Sequence, residues 1–154
     1  MSLHRVSSFT YSVPNPAEVI AYYAEFGLTD NGDGSLSTVD GGRQLYVEQG
    51  PYRRITGFAL GADDQDDLGR IHADLTSLGF DSTLDGDRLV TGDPVMRTRI
   101  EVLVEPRVVQ PEIERAPLNG PGRVERVNAR AAGVSRTDRV RPRRLGHLAL
   151  VSGE

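Results

Sequence analysis

The stretch "AYYAEFGLTDNGDG", residues 21–34, decides the fold once it is set beside "DLTSLGFDSTLDG", residues 74–86. Each ends a helical run on a glycine between two large apolar residues, Phe26-Gly27-Leu28 and Leu78-Gly79-Phe80, 52 residues apart. Glycine reaches the left-handed conformation that closes a helix, and the apolar residue after it folds back onto the last turn. Each stretch then reaches an Asp-Gly pair suited to a tight turn, Asp33-Gly34 and Asp85-Gly86, again 52 residues apart.

Working outward, Asn15 is placed to cap a first helix with Pro16 at its first position and Glu18 at its third, and Val19, Tyr22, Tyr23 and Phe26 are spaced for one buried face. The second helix gathers Asp63, Asp64, Asp66 and Asp67 at its positive end and carries Leu68, Ile71, Leu75 and Leu78 along one side. Apolar runs with strand character precede each helix, residues 6–13 and 55–60, and follow each turn, residues 36–39 and 89–91. Asp40 matches Asp93. The last strands, residues 44–49 and 98–105, set Glu48 against Glu101, each eight residues after its aspartate. The order is β-α-β-β-β, twice.

Composition sets the limits. With 154 residues, 38% hydrophobic and 26% charged, the chain suits one core, and no apolar run approaches the roughly 20 residues of a membrane span. The opening MSLHRVSSF lacks signal-peptide features, so a cytoplasmic location is expected. Without cysteine, any metal must be held by His, Asp or Glu. Residues 1–106 carry eight arginines against seventeen acids, a net of −9, whereas residues 107–154 carry ten against five, a net of +5. The basic part contains no aromatic side chain to stack on bases and no lysine, which argues against nucleic acid and for an arm lying on an acidic surface of its own or a neighbouring chain.

Paired βαβββ units with helices ended by FGL and LGF, and a "GDPVMRTRIEV" segment at residues 92–102, resemble the vicinal oxygen chelate superfamily, which includes glyoxalases, bleomycin-resistance proteins and type I extradiol catechol dioxygenases. The resemblance covers residues 6–106 and resumes at Leu145. It implies an α+β fold in which the two units form a curved, incompletely closed mixed sheet with helices outside, its bowl able to hold a divalent metal or a small ligand. Metal ligands in such proteins come from the first and last strand of each unit, which carries over to Ser8, Glu48, Gly57 and Glu101. That set is poor, because a ring-cleaving iron site needs two imidazoles and a carboxylate. Glu101 fits the usual glutamate position, but pairing with Arg97 or Arg99 is the competing reading. His72 and His4 read as surface or boundary residues.

Residues 107–144 form a Pro/Arg-rich linker, with prolines at 111, 117, 121 and 142 and a candidate short helix over residues 123–132 stopped by Gly133. Its end, "RPRRLGH" at residues 141–147, resembles the interdomain connection of two-module extradiol dioxygenases. The layout implied is a module over 1–106, the linker, and the first strand of a second module over 145–154. There His147 takes the place that Ser8 has in the first module, as the first Fe(II) ligand. The leading expectation is therefore the non-catalytic N-terminal half of an extradiol dioxygenase: Fe(II) and a catechol substrate belong to the parent enzyme, and no cofactor to this chain. The alternatives are a metal-free binding protein of the bleomycin-resistance type, and a glyoxalase-like dimer in which His147 completes a Glu48/Glu101 site in a partner. Self-association is expected through the linker and residues 145–151, paired as a strand on another copy.

Overall fold

The computed structural model describes residues 3–112, 117–128 and 140–151. The first unit runs β1 (Leu3–Val13), α1 (Pro16–Phe26), β2 (Thr29–Asp30), β3 (Ser35–Thr38) and β4 (Gly42–Gln49). The second repeats the order with β5 (Arg54–Ala62), α2 (Gln65–Ser77), β6 (Ser82–Asp85), β7 (Arg88–Asp93) and β8 (Thr98–Val104).

Both helices stop as their sequences require. Gly27 and Gly79 have φ of +117° and +79°, and the amides of Leu28 and Phe80 reach back to the carbonyls of Tyr23 and Leu75 at 3.0 and 2.9 Å. Their starts differ. Asp64 caps α2 by accepting the Asp67 amide at 2.8 Å, while the Asn15 side chain makes no capping bond to α1, where Pro16 already removes one unpaired amide. The buried face of α1 is also rotated from the expected one. Val19, Ile20, Tyr23 and Ala24 pack over Val13, Leu36, Leu45 and Val47, leaving Tyr22 63% and Phe26 54% exposed. The position of β3 and β4 beneath the helix chose the stripe, not the bulk of its side chains. Leu68, Ile71 and Leu75 of α2 do point inward, onto Ala62, Leu89 and Val102, but Leu78, the last member of the expected stripe, lies past the final turn and is 71% exposed.

The eight strands form one open sheet in the order β2-β3-β4-β1-β5-β8-β7-β6. A helical crossover returns each unit's last strand beside its first in parallel, β4 on β1 and β8 on β5. The two units meet through the antiparallel pair β1–β5. Phe9, Tyr11 and Val13 pack on the α1 side, and the pairing of Phe9 with Phe58 and of Leu60 with Val102 carries that side across to α2. Both helices therefore cover one face, and alternation sends Ser8, Thr10, Arg99 and Glu101 to the other.

The β1–β5 register slips between Val6 and Ser8, and β4 pairs with β1 only from Phe9↔Leu45 onward. Carbonyls of Val6 and Ser7 are thus left for a side chain to satisfy. Gln44, 2% exposed, donates Nε2 to both at 3.2 and 3.1 Å. Its Oε1 accepts Thr38 Oγ1 at 2.9 Å and the Leu145 amide at 2.7 Å.

Leu145 belongs to a strap that lies on the chain's own first unit. The Val140 carbonyl abuts Gly27, the amides of Val39 and Asp40 donate to the carbonyls of Pro142 and Arg143 at 3.0 and 2.8 Å, and Arg143 pairs with Asp40 at 2.6 Å. Near the end of β8, Arg107 pairs with Asp63 at 2.7 Å. The basic arm thus finds acids of its own body. Residues 142–145 dock against the β3–β4 turn, whose amides are free to pair, and residues 145–151 make no strand pairing within this one chain. One expectation is corrected. Residues 123–128 are not helical, since the stretch opens with a Gly120↔Arg123 bridge and Asn128 takes a φ of +56°; residues 129–132 lie outside the described residues. Among the described residues no helix is long and apolar enough to cross a membrane.

Candidate functional site

The face away from the helices holds a shallow cavity of about 280 Å³ where β1, β4, β5 and β8 meet. Gly57 makes room at its centre: a Cβ there would stand 3.2 Å from the Arg99 carbonyl and 3.9 Å from Thr10 Oγ1. Ser8, Thr10 and Tyr46 present hydroxyls around it, Ala59 and Leu103 supply apolar surface, and Arg99 and Glu101 stand on the β8 side.

Of the four positions the repeat marks for metal, Ser8, Gly57 and Glu101 come together at this cavity and Glu48 does not line it. The ladders explain the exception. Partners in the parallel pairs lie 36 residues apart in the first unit, Phe9↔Leu45, and 42 apart in the second, Phe58↔Ile100. If Ser8 is equivalent to Gly57, the mate of Glu101 is Tyr46, and Glu48 matches Leu103. Strand β7 is six residues to the four of β3, so the equivalence read from the aspartates slips before the last strand. Glu48 instead accepts Thr56 Oγ1 at 2.7 Å.

Glu101 is held by two guanidiniums. Arg88 donates Nε and Nη2 at 3.1 and 2.7 Å, and Arg99 donates Nε at 2.8 Å. The Arg88 hydrogen bonds hold the carboxyl below the usual carboxylate range, with Arg99 adding to the effect and partial burial opposing it. Arg88 is raised in turn, chiefly by its bond to Glu101. A carboxyl depressed in this way contributes stability above its unfolded pKa and loses it as the pH falls through the folded value. Pairing with Arg99 is legible in the sequence, because residues two apart on a strand share a face. Arg88 reaches Glu101 across the β7–β8 ladder, a contact no local pattern marks.

These residues do not fit the iron that such a fold can carry. Gly57 has no donor, Ser8 offers a neutral hydroxyl, both oxygens of Glu101 are engaged by arginine, and no imidazole lines the cavity. Among the described residues no group of three or more His, Asp or Glu side chains could hold a metal ion. His72 Nδ1 sits 2.7 Å from Ser82 Oγ. His4 is not at the surface: its side chain is 4% exposed, 3.9 Å from Asp63, and among the described residues neither ring nitrogen has a hydrogen-bond partner. His147 is exposed, beyond the strap.

Two βαβββ units joined by their first strands into one open sheet, with both helices on one face, make the vicinal oxygen chelate fold. No family model matches the chain, and no curated protein matches it. Among solved structures it is similar to a catechol 2,3-dioxygenase, with a TM-score of 0.58 and 14% identity over 70% of this chain and 42% of that one. A halotolerant catechol dioxygenase gives 0.58 and 16% over 69% and 41%. An extradiol ring-cleaving dioxygenase from B. fuscum gives 0.57 and 18% over 71% and 34%. At these identities the likeness is one of fold, and the chain spans well under half the length of each of these dioxygenases.

Proposed function

We propose that this chain is the non-catalytic N-terminal half of a type I extradiol ring-cleavage dioxygenase, whose Fe(II)-dependent cleavage of a catechol with O2 belongs to a second module opening at Leu145, with His147 as its first iron ligand. The observation that carries this reading is the open face itself. Where a catalytic unit needs imidazoles there are Ser8 and Gly57, and the one suitably placed carboxylate, Glu101, is neutralised by Arg88 and Arg99. The fold shared with catechol dioxygenases, of which the match covers 42% and 34%, supports it further. In this role the module is a scaffold, and the clasp of Asp40 and Gln44 on Arg143 and Leu145 fixes where the chain leaves it.

The test is a ring-cleavage assay in air with added Fe(II) and simple catechols. A facial triad needs three ligands, and His147 alone supplies one. This chain should therefore give no yellow ring-opened product above the iron-only background. Product formed above that background and abolished by His147→Ala would contradict the assignment and favour a site shared between chains.

A further inference from the structure

We propose that the open-face cavity is a binding site for a small organic acid, with the carboxylate held by Arg99 and the apolar body lying against Leu103 and Tyr46. Two guanidiniums, Arg88 and Arg99, share the carboxylate of Glu101, and Arg88 also faces Asp85 across the β6–β7 ladder, which leaves Arg99 as the cation open to a ligand. Arg99 spends only its Nε–H on Glu101. Its terminal nitrogens have no acceptor among the described residues, and the side chain is 57% exposed. A guanidinium with that edge free is matched to a carboxylate, which takes two parallel hydrogen bonds from it.

The rest of the cavity selects against a bare inorganic ion. Ser8, Thr10 and Tyr46 line the space, their hydroxyls without a hydrogen-bond partner among the described residues, and beside them lie Ala59 and Leu103. A ligand that carries an apolar ring or chain beside its carboxylate buries that surface, and ring hydroxyls or ethers on it meet the free hydroxyls. Gly57 keeps the floor open, since any side chain there would fill the space between Thr10 and Arg99. The site needs no metal, and it stands independently of whether a second module performs ring cleavage.

Titrations of the full chain with benzoate, with its neutral isostere benzamide and with inorganic phosphate, at one ionic strength and followed by amide chemical shifts, separate the alternatives. Benzoate should bind saturably, with shifts centred on Ser8, Thr10, Tyr46 and Arg99, and benzamide and phosphate about tenfold more weakly or worse. Arg99→Gln should weaken benzoate by about tenfold or more, whereas Glu101→Gln, which frees both guanidiniums, should tighten it by roughly threefold. Circular dichroism and melting of both variants guard against loss of fold. Equal binding of benzamide would reduce the site to an apolar slot, and equal binding of phosphate would reduce it to a basic patch. Unchanged benzoate affinity in a folded Arg99→Gln, or weaker affinity in Glu101→Gln, would also overturn the proposal.

Discussion

Replacing Gln44 by leucine is expected to cost about 3 kcal/mol of stability, near the upper end for a single polar side chain. The leucine fills a similar volume, so the loss is one of hydrogen bonds rather than of packing. Carbonyls of Val6 and Ser7, which the bulge in β1 withholds from its neighbours, lose their donor. The Thr38 hydroxyl and the Leu145 amide lose their acceptor. Each buried group left unpaired costs about 1–3 kcal/mol, reduced where the strap can lift away and admit water. Gln49→Leu is the control: its Nε2 bonds the Pro14 carbonyl at 2.7 Å but at an exposed position, and it should cost under about 1 kcal/mol. Urea unfolding of both variants measures the difference. Equal midpoints would show that the bulge carbonyls are satisfied by some other route.

Gly27→Ala should be far more damaging than Gly79→Ala, although both glycines close a helix in the same way. Alanine at φ of +79° with open space around it meets only the left-handed penalty, about 1 kcal/mol. At Gly27 the φ is +117°, and the new Cβ would lie 1.8 Å from the Val140 carbonyl oxygen, so the strap must leave or the helix end must move. The loss should reach roughly 3 kcal/mol as the bonds from Val39, Asp40 and Gln44 to residues 142–145 break. Trypsin cleavage at Arg143 or Arg144 should speed up in Gly27→Ala and stay unchanged in Gly79→Ala. In a chain cut before Val140, the two substitutions should cost nearly the same. If they still differ there, the strap is not the cause.

What the sequence shows and what it hides follow from the range of the interactions. The helix ends, the Asp-Gly turns and the order of the strands depend on residues a few positions apart, and Gly27, Gly79 and the first three leucine and isoleucine positions of the α2 stripe behave as their patterns require. The α1 stripe does not, because Val19, Ile20, Tyr23 and Ala24 are chosen by where β3 and β4 lie beneath the helix. The candidate site divides in the same way. Ser8, Gly57 and Glu101 share a face by strand alternation, but the match of Glu48 to Glu101 depends on a fixed distance from an aspartate, and a longer β7 breaks that spacing. Neither Arg88 on Glu101 nor the strap on Gln44 leaves a local trace, since their partners lie 13 and 101 residues apart.

The direct test of a paired module with no catalytic metal site is anaerobic loading of the full chain with Fe(II), followed by desalting and elemental analysis. Carboxylates already engaged by arginine, without imidazole support, should retain iron at well under about 0.1 equivalent. Near one equivalent of retained iron, lost in Glu101→Gln, would contradict the account.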